Sequence, residues 1–392
     1  MKTKILTLLT VILLCFGLAS CGFIKKIVSV KIDAGDETQA EPEPFDPEEA
    51  YKIIPRLQTK YFLSSLDKIH LQNACGIYRA VSSFETSYTL QGSLSREDAA
   101  DLFNLVKSEC PELFQLGDDS KMSVEYSVNS NTAKALYWNY RMDKTGYDAA
   151  YARADAAVKE FLLTVEGLTD YEKETKAFEY IASHCVYEED AAYGDSAYGS
   201  LILGHAKCDG ISSGFKWLCE ASGIPCLLIT AASKTGGVGH AWNMVGLDGG
   251  YYNVDLTQSV RTDSAEKPSK TLFFYFNVPD AWMNESYAIY EDVSRFKKLP
   301  ACDTCEKSYY AVNGIFIYEG EDPYGPLYEA LASERSADGF DIHFESVSDA
   351  ARFSDVLSGT IKAWLSNNGS AASVAASRVG ERLFSFEVVM KS

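Results

Sequence analysis

Cys208, His240 and Asp255 are the residues around which chemistry can be built. Nucleophilic acyl transfer needs a sulfur to attack, a base to take its proton, and a carboxylate to hold the base in one tautomer. The chain has only five histidines and ten cysteines, so each can be weighed singly. Cys208 opens the segment 207–222, where Ile211, Phe215, Leu218 and Ala221 recur at helical spacing. Gly223 and Pro225 then form a stop signal. A thiol in a first helical turn lies at the positive end of the macrodipole, which favours the thiolate. Such settings lower a thiol pKa from about 8.5 to roughly 3.5–7.5. Gly210 and Gly214 weaken the helix and make sense only if another backbone packs closely there. A lone helical cysteine is most often a small core residue; the partners His240 and Asp255 are what move Cys208 out of that class.

The partners must come from an element that aims them together. Segment 239–245 reads as a strand entered from a flexible loop, 233–239, and 251–255 as its returning partner. Asp248-Gly249 is a two-residue hairpin signal. That turn sets Asp255 opposite Trp242, and His240, two residues from Trp242, then points to the same face as Asp255. A three-residue turn would separate them. The predicted register therefore supplies a carboxylate that can orient the imidazole.

Four segments in this order resemble the transglutaminase-like superfamily, relatives of papain-type proteases. They are Cys208-Asp209-Gly210-Ile211-Ser212, Gly223-Ile224-Pro225, Gly239-His240-Ala241-Trp242-Asn243 and Asn253-Val254-Asp255-Leu256-Thr257. The resemblance covers about residues 165–280. It implies an α+β fold in which a Cys-bearing helix packs on an antiparallel sheet carrying His and Asp. It also implies catalysis by Cys208, His240 and Asp255 without cofactor or metal. Where the family often has Pro after the Asp and Trp three residues after it, this chain has Leu256 and Gln258, so the cleft wall is expected to differ. The Cys208 N–H and the Tyr187 or Tyr198 hydroxyl are candidate oxyanion donors. Trp242 and Asn243 are candidate cleft residues.

Around this core, 46–164 reads as a mostly helical N-terminal domain, 165–298 as the transglutaminase-like domain, and 299–392 as a small α+β domain. The first contains a helix at 99–107 capped by Ser95, a hairpin within 121–141 turning near Asn129-Ser130-Asn131, and a long helix at 147–163. Thr169, with Glu172 three residues on, should cap a helix running to about His184. The last domain should hold strands at 309–318, 339–344 and 383–390, with helices near 325–335 and 349–366.

The two ends of the composition limit partners and place. Lys plus Arg is 36 against 55 Asp plus Glu, a formal charge of −19, which repels nucleic acid. Lys2 and Lys4 precede 15 apolar residues, 5–19, an export-signal length. Leu18-Ala19-Ser20-Cys21 resembles a bacterial lipoprotein cleavage box, which implies a signal peptide at 1–20 and acylation of Cys21. Two or more acyl chains anchor stably. Residues 21–45 then read as an acidic linker; eight carboxylates and no Lys or Arg lie between 33 and 49. The flanking domains resemble, more loosely, extensions of Gram-positive surface lipoproteins.

Among the remaining cysteines, Cys75 with Cys110 is a candidate bridge, Cys302 and Cys305 a disulfide or free thiol pair, and Cys219 and Cys226 core residues. His205, three residues before Cys208, reads as a loop residue, with lining of the cleft as the alternative; His70, His184 and His343 have no partner signal in the sequence. No calcium loop is present, and a lone CxxC does not complete a zinc site. The expected function is that of a monomeric, lipid-anchored cysteine peptidase or amidohydrolase at the extracytoplasmic membrane face. Its substrates would be peptides or isopeptides, cell-wall peptides among them. The alternatives are a cross-linking transglutaminase and a catalytically idle binding scaffold.

Overall fold

The structure, a computed structural model, describes residues 29–33, 43–262, 271–290, 295–332, 339–367, 372–379 and 381–390. The signal peptide and Cys21 lie outside the described residues. Two compact units are present. One holds the chain to Thr271 together with Asp280–Cys302; the other holds Leu272–Pro279 and Asp303–Ser392. Among the described residues, no helix is long and apolar enough to cross a membrane.

The first unit begins with helices whose starts are written in the sequence. Asp67 caps Lys68–Ser82, Ser95 caps Arg96–Glu109, and Asp143 caps Lys144–Thr164. Each accepts from one or two free N–H groups of the first turn, a contact worth about 0.5–2 kcal/mol. Thr169 and Glu172 form the expected capping box of Asp170–His184. The hairpin at 121–141 is also as expected: Met122–Ser127 pairs antiparallel with Thr132–Trp138.

Two features add to the sequence reading. The hairpin is the centre of a four-stranded sheet, flanked by Ser87–Thr89 and by a parallel strand, Ser29–Asp33. That last strand falls inside the segment expected to be a linker. The alternation Ser29-Val30-Lys31-Ile32 suits a strand, and Met122–Ser127 offers it an edge. The end of the acidic run is also held: Glu43 N–H donates to Gln91 Oε1 at 3.2 Å, and Gln72 Nε2 donates to the Glu43 carbonyl at 2.9 Å. Second, 46–164 lies in the same compact unit as 165–271 and 280–298, whereas Leu272–Pro279 groups with the other unit.

The part of this unit that positions the site is a helix on a sheet. Cys208–Ala221 packs across Cys226–Ser233 and His240–Leu247. Those strands continue antiparallel to Gly250–Asp255 on one side and Tyr287–Ile289 on the other. Ile211, Phe215 and Leu218 are completely buried, as their spacing requires, and Phe215 meets Phe178 of the preceding helix edge to face at 6.4 Å. Burying each such side chain stabilises the fold by about 1.5–3 kcal/mol.

The second unit is a four-stranded sheet in the order Ile315–Ile317, Phe340–Phe344, Leu383–Met390, Ala372–Val379, with helices Tyr324–Ala332 and Val347–Asn367. Phe344, Phe353, Phe384 and Phe386 fill its core. The expected strand at 309–318 is instead a short helix, Tyr309–Asn313, followed by a short strand. Ser308 caps that helix and Gly314 ends it, which divides the apolar run.

Candidate active site

The turn decides the geometry. Asp248 and Gly249 both have positive φ, 50° and 84°, as a two-residue hairpin turn with right-handed twist requires. The strands pair Leu247 with Gly250 and Asn243 with Val254, the expected register. His240 and Asp255 accordingly share a face, and His240 Nε2 lies 2.7 Å from Asp255 Oδ2. Asp255 is buried, and its other oxygen accepts from the Thr257 N–H at 2.9 Å. Burial alone would raise its carboxyl pKa. The charge and hydrogen bond of His240, with the Thr257 N–H, outweigh burial and hold it below the ordinary carboxylate value. An ionised Asp255 keeps the proton on Nε2, so Nδ1 is the basic nitrogen of the ring.

The imidazole plane is held by two rings. Tyr287 stacks on it at 4.9 Å and 25°, and Trp242 lies beyond at 6.1 Å and 29°. Trp242 Nε1 donates to Asn253 Oδ1 at 2.8 Å, and Asn253 Nδ2 donates to Asp280 Oδ1 at 2.9 Å. Asp280 Oδ2 in turn accepts the Cys302 N–H at 3.1 Å. The wall behind His240 is thus tied through three side chains to the backbone.

Cys208 is the first residue of its helix and is 2% exposed. Gly210 has the expected reason, a backbone packed on it, whereas Gly214 is met by side chains. A Cβ on Gly210 would lie 2.1 Å from the Gly194 carbonyl, and one on Gly214 would lie 2.2 Å from Ser200 Oγ. Ser200 Oγ donates to the Gly210 carbonyl at 2.7 Å. The segment 194–200 therefore lies directly on the first two turns. One turn past Cys208, Ser212 Oγ donates to the Ala241 carbonyl at 3.3 Å, and Ser212 O accepts from Asn243 Nδ2 at 3.1 Å. A turn spans about 5.4 Å, so these bonds set the start of the helix beside the start of the strand, where His240 stands.

The other predicted site residues are placed differently. Asn243 is completely buried on the face opposite His240, where it also donates to the Leu227 carbonyl at 3.2 Å. It clamps helix to sheet and does not line a cleft beside the imidazole. Tyr187 donates its hydroxyl to Glu189 at 2.7 Å. The Tyr198 hydroxyl accepts from Arg153 at 2.9 Å, and its ring stacks on Phe114 at 5.1 Å. The Tyr187 O–H is thus spent on Glu189, whereas Tyr198 accepts and keeps its own O–H to donate. His205 Nδ1 and His70 Nδ1 each lie 2.8 Å from a carboxylate oxygen, of Glu188 and Asp67 respectively. His184 stacks on Tyr180. His343 is buried in the second unit, and burial, with Arg382 adding, pulls its pKa down to about 3. The described cysteines are buried and none is in a disulfide, so the expected Cys75–Cys110 bridge is absent and Cys302 is not bridged to Cys305.

The sequence reading missed a buried charge cluster on the same helix. Lys216 contacts Glu109 at 3.0 Å and Glu220 at 2.8 Å, and Lys60 contacts Glu220 at 2.9 Å. Each of the four is at most 1% exposed. Lys216 and Glu220, four residues apart on an otherwise apolar helix, were the available signal. Tyr287 had none, because its neighbourhood to His240 arises only through strand pairing.

Residues 157–256 match the family model for the transglutaminase-like superfamily. No curated protein matches the chain. Among solved structures, the chain is similar to a candidate cysteine protease from Cytophaga hutchinsonii (17% identity, 33% of this chain and 52% of that one, TM-score 0.24). It is also similar to a TGase (12%, 53% and 61%, TM-score 0.26) and to menin (16%, 43% and 40%, TM-score 0.23). The chain spans about half the length of these proteins.

Proposed function

We propose that the protein is a transglutaminase-like cysteine hydrolase of amide bonds in peptides or isopeptides. Cys208 is the nucleophile, His240 the base and Asp255 the group that orients it. The observation that carries the reading is the 2.7 Å contact between His240 Nε2 and a buried Asp255, on a hairpin whose partner helix begins with a cysteine. In the reaction, Nδ1 takes the thiol proton and Sγ bonds to the carbonyl carbon. The imidazolium returns the proton to the departing nitrogen as the C–N bond breaks, leaving a thioester. Water, deprotonated by His240, then adds to the thioester carbonyl. The C–S bond breaks, a carboxylic acid leaves and the thiol is restored. Hydrolysis is preferred to cross-linking because water needs no acceptor pocket. The leader and Cys21 support placing this chemistry on a lipid anchor at the extracytoplasmic face, with cell-wall peptides among the substrates.

The test is alkylation of Cys208 by iodoacetamide, followed by peptide mapping. Fast modification near pH 7 that slows at least tenfold in His240→Ala supports an activated thiolate. An ordinary thiol profile that is indifferent to His240 overturns it and leaves a binding scaffold. Mass spectrometry of Cys208 after exposure to wall peptides would then identify the acyl group it captures.

A further inference from the structure

A cavity of about 140 Å³ lies in the first unit beside the Cys208 helix, separate from the residues of the proposed chemistry. Asp209 and Ser213 of that helix line it, whereas Cys208, His240 and Asp255 do not. Its walls are largely apolar, from Leu105, Leu113, Phe114 and Leu228. Thr230 also lines it, on the strand Cys226–Ser233 and the sheet face that bears Ala241 and Asn243. Thr230 is 1% exposed, and its hydroxyl has no hydrogen-bond partner among the described residues. Leaving a buried hydroxyl unbonded is costly.

Charge and volume narrow that ligand. The carboxylates around the cavity are already matched: Asp101 with Arg295 at 3.1 Å, Asp118 with Lys207 at 2.8 Å and Asp195 with Arg141 at 2.7 Å. Asp209 also lies 3.7 Å from Lys207. Lys107, which also lines it, lies 3.7 Å from Asp118, and the other polar lining residues, Asn104, Ser108, Ser196, Ser213 and Thr230, are neutral. A dry apolar cavity of about 150 Å³ accepts one benzene ring. Asp118 is exposed, so the cavity reaches solvent on that side. We propose that it is a binding site for a small neutral molecule consisting of one aromatic ring with one hydrogen-bonding atom, a phenol in the simplest case, seated with that atom on the Thr230 hydroxyl.

The probes are p-cresol and toluene, titrated into the full chain by calorimetry or ligand-observed NMR. Wild type should bind both saturably and prefer p-cresol by roughly 3–10-fold, the effect of one neutral hydrogen bond. Thr230→Val keeps the shape and should erase that preference while still binding toluene. Ser108→Trp, on a partly exposed wall position, should abolish binding of both with the thermal melt unchanged. Cys208→Ala should bind as wild type, which separates this site from the proposed reaction. Absence of saturable binding, a preference that persists in Thr230→Val, or binding that survives Ser108→Trp would each overturn the proposal.

Discussion

At His240 the quantity that matters is which ring nitrogen is basic. Asp255 determines it by accepting from Nε2, and the Tyr287 and Trp242 rings keep the plane from turning. Asp255→Asn offers an amide instead of an anion and releases the tautomer. Turnover of a peptide amide should fall roughly 10²–10⁴-fold, with Cys208 and its helix intact by circular dichroism; unchanged turnover would remove Asp255 from the mechanism. A second readout follows from the depressed carboxyl of Asp255. Its folded pKa lies below the unfolded one, so its contribution to stability is complete above about pH 3.9 and is lost as pH falls through the folded value. Acid unfolding curves of Asp255→Asn should lack that component. The His240–Asp255 contact was legible because a turn dipeptide and period-2 alternation set which face each occupies, and Cys208 was read from helical spacing. Tyr287 was not, since stacking between distant strands leaves no local pattern.

At the scale of elements, the Cys208 helix is fastened on two sides. On one, Ser212 and Asn243 bond it to the strand of His240. On the other, Lys216 and Glu220 meet Lys60 and Glu109 from the N-terminal segment. The cluster carries two positive and two negative charges, and backbone carbonyls of Glu109 and Cys226 accept from the lysines as well. Removing one member strands buried charge. Glu220→Ala takes a partner from both lysines and should destabilise the protein by about 3–5 kcal/mol in urea unfolding, read at unchanged m value. A loss below about 1 kcal/mol would mean the lysines find water or new partners. The helices capped by Ser95 and Thr169 and the hairpin were visible in the sequence as caps and turn residues, whereas the caps Asp67 and Asp143 were not read from it. The strand at Ser29–Asp33 was hidden by its neighbours' composition, because a carboxylate-rich run reads as solvated while an open sheet edge still recruits a short alternating segment.

For the whole molecule, the division into units runs through the chain differently from the order of motifs. Residues 46–164 share a unit with the transglutaminase-like region, and Leu272–Pro279 belongs with Asp303–Ser392. The second unit carries its own pH sensitivity at His343. Its folded pKa of about 3 lies below the unfolded value, so the unfolded chain binds the proton first. The stability this group supports is complete above about pH 6.5 and is lost as pH falls toward the folded value. Hydrogen exchange at Ile342–Phe344, corrected for intrinsic rate, should lose protection as pH drops from 7 to 5, by an amount on the order of 1–2 kcal/mol. His343→Leu should not show that loss. Equal behaviour of the two proteins would refute the assignment.

What the chain determined by itself was local: a thiol at a helix start, an imidazole and a carboxylate two pleats apart across a two-residue turn, and caps that begin four helices. Each depends on spacing along the backbone, where geometry is dictated by a few dihedrals. What only the tertiary structure decided was non-local: the Tyr287 stack, the quartet of buried charges, the cavity with its unbonded hydroxyl, and the grouping of 46–164 with 165–271 in one compact unit. Those arise when segments tens to hundreds of residues apart exclude water from the same space, and nothing in neighbouring residues encodes which distant surface will arrive.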